Sequence, residues 1–155
     1  MANSYSQIYI QLVFSPSKHH SRIDPSWEEL LYKYISGIVQ NKGQKMLAIN
    51  GMPDHIHILF GMKPTCCIAD LIREIKKSAT VFIKENRFAK NEFRWQAGYG
   101  VFSYGRAQLS MIINYIGKQK EHHRKKTFKE EYLEFLNEYG IDFNDKYLFD
   151  WFDED

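Results

Sequence analysis

Cysteine is nearly absent from this sequence, and its only two cysteines, Cys66 and Cys67, are neighbours. Adjacent cysteines do not normally satisfy the geometry of a disulfide with each other, so the chain does not resemble a disulfide-stabilised secreted domain. We therefore expect a reducing, cytoplasmic location.

Long apolar runs are absent too. Every apolar stretch is broken by charge well before the roughly 20 residues that a membrane span needs, and no charged leader with an apolar region opens the sequence. We expect neither a membrane partner nor a targeting segment. The chain of 155 residues, 44% of them hydrophobic, is sufficient for one domain over residues 1–155.

Negative charge is scarce in most of the chain but concentrated at its end. Residues 1–129 carry 20 Lys and Arg against 9 Asp and Glu, whereas the acidic extension over about 130–155 carries 1 against 10. A basic body favours a nucleic-acid partner, because each cation that neutralises a phosphate releases condensed counterions. A solvated basic surface is the alternative interpretation. Apolar residues at helical spacing in the extension predict a short helix packed on the body.

Hydrophobic periodicity predicts the order β-α-β-β-α-β-α. We expect strands over 6–14, 45–51, 55–61 and 98–104, and helices over 24–43, 68–87 and 107–122. The first six elements predict an α+β fold, the ferredoxin-like split βαβ sandwich, with an antiparallel sheet. Two helices should cover one face of that sheet, and the other face should be free for ligands or a partner. The helix over 107–122 and the acidic helical tail are additions.

His55 and His57 lie two residues apart in a predicted strand. Their imidazoles therefore leave the same face and can bind one metal ion, although such a pair is also an ordinary hydrogen-bonded feature of strands. Asp54 could orient a ligating imidazole, or it could simply be the turn residue that its place after Pro53 suggests. We favour the turn.

Tyr115 and Gln119 lie four residues apart on the last predicted helix. This spacing places them on one helix face, beside the apolar stripe and facing outward. Tyr115 could attack a phosphate, or it could be an amphipathic tyrosine at the edge of the helix. Nearby cationic and imidazole side chains are possible DNA contacts. They are Lys118, Lys120, His122, Arg124, Lys125 and Lys126.

Three motifs occur in order: GMPDHIHIL over 51–59, WQAGYGVFS over 95–103, and NYIGKQ over 114–119 followed by EHH over 121–123. In this order they resemble the IS200/IS605-like family of single-tyrosine transposases, whose histidine motif gives the name HUH. The resemblance covers essentially the whole chain. The tail, with TFKEEY over 127–132, is similar to the branch to which the REP-associated tyrosine transposases are related.

The resemblance implies a role for each motif residue. His55 and His57 would bind Mg²⁺ or Mn²⁺, Gln119 would complete the metal site, and Tyr115 would be the nucleophile. The implied activity is cleavage and rejoining of hairpin-containing single-stranded DNA through a 5′-phosphotyrosine. A homodimer is also implied, with the active site assembled within one subunit or between two.

Two alternatives stay open at this point. A host-retained relative would nick repeated DNA hairpins, or only bind them, without transposition. A ferredoxin-like domain with no nucleic-acid partner would carry the histidine pair incidentally and expose the basic body to solvent.

Overall fold

The computed structural model describes residues 4–152, and its strands form one antiparallel sheet in the order β2-β3-β1-β4. The strands are β1 (Tyr9–Phe14), β2 (Lys45–Met52), β3 (His55–Gly61) and β4 (Gly100–Tyr104). Helix α1 (Glu28–Asn41) connects β1 to β2, and helix α2 (Ile68–Glu85) connects β3 to β4. The predicted ferredoxin-like arrangement is confirmed.

Alternation along the strands separates two hydrophobic layers. Leu12 of β1 and Ile56 and Ile58 of β3 point to one face, where they are fully buried with residues of α1 and α2. Val13 and Leu59 point to the opposite face and belong to a second buried cluster. His55 and His57 share that second face, because side chains two residues apart in a strand leave the same side.

Three further helices follow the sheet: α3 (Leu109–Gly117), α4 (Gln119–His122) and α5 (Phe128–Glu138). Short 3₁₀ turns lie at Arg106–Gln108 and Asp145–Tyr147. Helix α5 is the helix predicted in the acidic tail. It begins at a capping box, in which the Thr127 hydroxyl accepts from the Glu130 amide at 3.2 Å and the Glu130 carboxylate accepts from the Thr127 amide at 3.4 Å.

The second face of the sheet is covered, so the expectation that it is free was wrong. Phe128, Tyr132 and Phe135 of α5 are buried in the cluster on that face, together with Phe102 of β4. The expectation of a free face came from the first six elements alone, and the helix predicted in the tail is what covers this face. Burial of its aromatic side is favourable at roughly 25 cal/mol for each Å² of apolar surface.

The predicted helix over 107–122 is interrupted at Lys118, whose φ of −101° and ψ of 22° depart from helical values. The Asn50 amide donates to the carbonyl of Ile116 at 3.0 Å, so a side chain of β2 provides a partner for a carbonyl at the end of α3. Gly117, a weak helix former, precedes the break. A side chain from a distant strand thus contacts the end of α3, and periodicity within the helix contains no sign of this contact.

Helix α1 begins at Glu28, later than the predicted start at Asp24. The Asp24 carboxylate accepts from the Ser26 amide at 2.8 Å, so it stabilises a turn ahead of the helix. Between residues 4 and 152, no helix combines the length and apolar character needed to cross a membrane.

Candidate active site

Strand β3 presents both histidines as fully buried side chains, with ring centroids 5.1 Å apart. Nδ1 of His55 lies 2.7 Å from the Asp54 carboxylate, and Nδ1 of His57 lies 2.7 Å from Oε1 of Gln11. These contacts fix the orientation of both rings, so that each Nε2 points toward oxygen atoms from the helices above. The shared face that the spacing predicts is confirmed.

Asp54 orients His55 and also lies in the turn between β2 and β3, so the preference for a turn residue alone was wrong. Burial by itself would raise the pKa of Asp54. The hydrogen bond and charge of His55 outweigh burial and lower this pKa below its usual value. Asp54 is therefore a carboxylate that holds the imidazole in place.

Gln119 is fully buried, whereas the sequence analysis expected it to face outward. Its Oε1 lies 3.0 Å from Nε2 of His55 and 3.0 Å from Nε2 of His123. The prediction assumed a continuous helix, and the break at Lys118 redirects α4 so that its first residue points at the sheet. Gln119 thus joins the histidine pair, as the resemblance implies.

Glu131 of α5 is a member of the site that the sequence analysis missed. Its Oε1 lies 2.9 Å from Nε2 of His57 and 3.5 Å from Nε2 of His55, and its side chain is buried. The sequence does carry a signal for it. Glu131 follows Phe128 by three residues and precedes Phe135 by four, so this carboxylate lies within the apolar stripe of an amphipathic helix.

The atoms around the histidines fit a divalent cation. One ligand atom from each of His55, His57 and Glu131 lies within 4.8 Å of the others. The contacts of 2.9 to 3.5 Å among His55, His57, Gln119 and Glu131 match neighbouring ligands of an ion bound at about 2.1 Å, which lie about 3.0 to 3.4 Å apart.

The number of protons available to His57 also favours a cation at this group. His57 faces an oxygen at each ring nitrogen, Gln11 Oε1 and Glu131 Oε1. Burial lowers the pKa of His57, and a neutral imidazole has one N–H for these two acceptors. If that N–H is on Nδ1 and donates to Gln11, the lone pair of Nε2 faces Oε1 of Glu131 with no proton between them, and a cation there would satisfy both.

Tyr115 lies beside this group. Its hydroxyl donates to Oε2 of Glu131, and its ring centroid is 6.1 Å from that of His57. Burial, followed by the negative charge of Glu131, raises the pKa of Tyr115 above its usual value, so the side chain is a phenol in this arrangement. One chain alone thus brings the predicted nucleophile to the histidine pair.

Four of the six predicted DNA contacts line one cavity with Tyr115. The cavity has a volume of about 550 Å³, and its wall includes His122, Arg124, Lys125 and Lys126. His122 is the last residue of α4 and the other three belong to the segment between α4 and α5, so the structure groups them at the opening beside the tyrosine.

The other two predicted contacts lie elsewhere. Lys118 is exposed at the break between α3 and α4, outside the cavity lining. Lys120 donates to the Glu28 carboxylate at 2.8 Å and to the Gly51 carbonyl at 2.6 Å. These bonds attach α4 to α1 and β2, which gives Lys120 a structural role.

Comparison with known proteins identifies the family. The profile of IS200-like transposases matches residues 4–119, about three quarters of the chain, and the chain belongs to this family. Membership supports a transposase-type function on DNA. The match ends at Gln119, so Glu131 and the remainder of α5 lie outside it.

Two solved structures share the fold. A protein from Deinococcus radiodurans R1 assigned as a transposase aligns with a TM-score of 0.56 at 20% identity, over 77% of this chain and 95% of the other. A REP-associated tyrosine transposase bound to a REP hairpin aligns with a TM-score of 0.58 at 16% identity, over 79% and 73%. No curated protein matches the chain significantly in sequence.

Proposed function

We propose that the protein is a metal-dependent transposase that cleaves and rejoins single-stranded DNA through a 5′-phosphotyrosine on Tyr115. One observation carries this proposal. The Tyr115 hydroxyl donates to one oxygen of Glu131, and the other oxygen of that carboxylate lies 2.9 Å from His57. The reacting oxygen is therefore next to the group that fits a divalent cation.

Each residue of the site has a role in this chemistry. His55, His57, Gln119 and Glu131 would hold Mg²⁺ or Mn²⁺. A bound ion would polarise a phosphodiester oxygen and offset the negative charge that develops during attack. Asp54 and Gln11 keep the two imidazoles oriented.

Tyr115 is a weak nucleophile while it is a phenol, so its proton has to leave as the new bond forms. Attack by its oxygen forms a bond to phosphorus and breaks the bond from phosphorus to the 3′ oxygen, which takes up one proton to balance the one that Tyr115 loses. The strand is left with a free 3′-hydroxyl, and the tyrosine carries the 5′ phosphate. Because this link is still a phosphodiester, the 3′-hydroxyl of another strand can reverse the step without ATP.

The proposed substrate is single-stranded DNA with hairpin structure. The basic segment beside Tyr115 suits a phosphate backbone, and the REP-associated relative of similar fold is bound to a hairpin.

We also infer a homodimer. Met111 of α3 is 62% exposed and offers an apolar contact. Light scattering should give about twice the chain mass of 18.4 kDa, and Met111→Lys should yield the monomer. A wild-type monomer would contradict the dimer and leave the chemistry intact, because one chain holds both Tyr115 and the histidines.

The test of the chemistry is a covalent adduct. Labelled hairpin DNA from the flanks of the protein's own gene is incubated with Mg²⁺ or Mn²⁺, and the products are separated on a denaturing gel. Wild type should form a metal-dependent adduct that Tyr115→Phe abolishes. Tyr147→Phe, which changes a tyrosine that is 83% exposed, is the matched control and should behave as wild type.

The alternative is a relative that nicks or only binds hairpins. The complete burial of His55 and His57 favours the binding-only function, because DNA in this arrangement would meet Tyr115 and Glu131 but not the two imidazoles. Salt-sensitive binding of the hairpin with no adduct from wild type would support the binding-only function. An adduct without joining of a second strand would support a nicking enzyme.

A further inference from the structure

The imidazole of His122 carries an unsatisfied polar atom. Among the buried side-chain nitrogen and oxygen atoms of residues 4–152, Nε2 of His122 has no hydrogen-bond partner. Buried polar atoms are almost always paired, and an exception in a native structure calls for a missing ligand or another explanation. From the sequence, His122 is only one of several possible DNA contacts.

This nitrogen belongs to a ring that packs on the proposed nucleophile. The ring centroids of His122 and Tyr115 are 4.5 Å apart, and the ring planes are inclined by 30°. Both residues line the cavity of about 550 Å³, and Glu131 forms part of the same wall. The cavity volume lies within the range of small-ligand sites, about 300 to 1,000 Å³.

The cavity borders the proposed metal group. His55, His57 and Gln119 have no exposed surface, but Glu131 lies in the cavity wall beside Tyr115. A phosphate in the cavity would lie beside both the attacking oxygen and the carboxylate of the ion site.

The charges of the cavity suit an oxyanion. Arg124 and Lys125 are exposed there and form no ion pair within residues 4–152. Two other donors on the wall already face carboxylates of α5, with Nζ of Lys126 2.6 Å from Glu134 and Nε2 of His123 3.3 Å from Glu131. Glu121 is the third acidic residue of the lining.

We propose that this cavity binds the scissile phosphodiester, with Nε2 of His122 donating a hydrogen bond to a non-bridging oxygen and Arg124 and Lys125 supplying positive charge. The identity of the ligand rests on the proposed function. The oxyanion site itself rests on the unpaired nitrogen, the cavity and its cations. His122 would position the phosphate against Tyr115, whose ring it already contacts.

The probe for this site is the dinucleotide dTpT, since it needs no knowledge of the DNA target. Histidine resonances of the isotope-labelled protein are followed by NMR during titration with dTpT and with its neutral methylphosphonate analogue. His122→Gln assigns the His122 signal, and His20, which lies outside the cavity lining, is the internal control. The His122 signal should shift saturably with dTpT, with at least tenfold weaker binding of the neutral analogue.

A second variant separates hydrogen bonding from ring packing. His122→Phe keeps an aromatic ring against Tyr115 and removes the nitrogen, so it should weaken dTpT binding about tenfold while the other histidine signals keep their positions. An unmoved His122 signal, equal binding of the two dinucleotides, or full binding by His122→Phe would each overturn the proposal.

The outcomes distinguish this site from the chemistry. Binding of dTpT at His122 in a protein that forms no adduct would keep the oxyanion site and overturn the role of Tyr115. Conversely, an adduct formed by His122→Phe at the wild-type rate would keep the chemistry and overturn the role of His122.

Discussion

Replacement of Glu131 by glutamine tests whether α5 contributes a metal ligand. Glu131→Gln keeps the shape of the side chain and removes its negative charge. In wild type without an ion, donors from Tyr115 and His123 meet a carboxylate oxygen of Glu131. In Glu131→Gln the same donors would have to face an amide group. An unsatisfied buried contact costs about 1 to 3 kcal/mol, and we expect a loss of this size in the free energy of unfolding.

The free energy of unfolding of both proteins should be measured near pH 7. Burial raises the pKa of Glu131, but its contacts with His57 and the hydrogen bond from His123 outweigh burial and hold this pKa well below its usual range. The stability that the carboxylate contributes is therefore present above the unfolded value of about 4.3 and is lost as the pH falls below it.

Mn²⁺ should enlarge the difference in the free energy of unfolding between wild type and Glu131→Gln. An ion at one hundred times its dissociation constant stabilises the folded state by about 2.7 kcal/mol. A site weakened a hundredfold would retain about 0.4 kcal/mol at the same concentration. Urea unfolding with and without Mn²⁺ measures both quantities for wild type and Glu131→Gln.

Glu134→Gln is the matched control for this experiment. Glu134 lies on the same helix, is exposed, and pairs with Lys126 at the surface, where ion pairs contribute little. Equal stabilisation of wild type and Glu131→Gln by Mn²⁺ would refute the assignment of Glu131 as a ligand. A comparable loss in Glu134→Gln would show that the effect is general to the charge of α5.

Three further predictions follow from the contacts around the site. Asp54→Ala should weaken Mn²⁺ binding about 10- to 100-fold in calorimetry, because His55 loses its orienting carboxylate, and unchanged affinity would contradict that role. Phe128→Ala should lower the free energy of unfolding by about 3 to 5 kcal/mol in urea, since its ring stacks on His55 at 4.0 Å; a loss below 1 kcal/mol would contradict the packing. Gln96→Ala should speed proteolysis of the tail, because its amide bonds both the N–H and the carbonyl of Asp150, and an unchanged cleavage rate would count against this tether.

The parts of the fold that depend on local pattern were predictable from the sequence. A period of two residues places His55 and His57 on one side of β3, whatever covers them. The succession of strands and helices likewise restricts the sheet to few topologies, and the order β2-β3-β1-β4 is the one expected of a split βαβ arrangement.

The rest of the candidate site depends on contacts between distant residues. Glu131 meets His57 across 74 positions of sequence, and Asn50 contacts the end of α3 across 66. Periodicity in either segment contains no information about its partner. Gln119 points inward because α3 ends just before it. Spacing along a continuous helix therefore identifies Gln119 as a site residue but predicts the wrong direction for its side chain.

The position of Glu131 links the tail to the ion. This carboxylate is part of α5, whose aromatic residues pack on the sheet, and it also faces both histidines. If the ion binds Glu131, docking of α5 and binding of the ion must favour each other by the same free energy, since such coupling is reciprocal. Mn²⁺ should then protect the tail from proteolysis, and Gln96→Ala should weaken Mn²⁺ binding by at most the factor by which Mn²⁺ favours tail docking. The acidic extension is on this argument a structural part of the site, and its negative charge does more than offset the basic body.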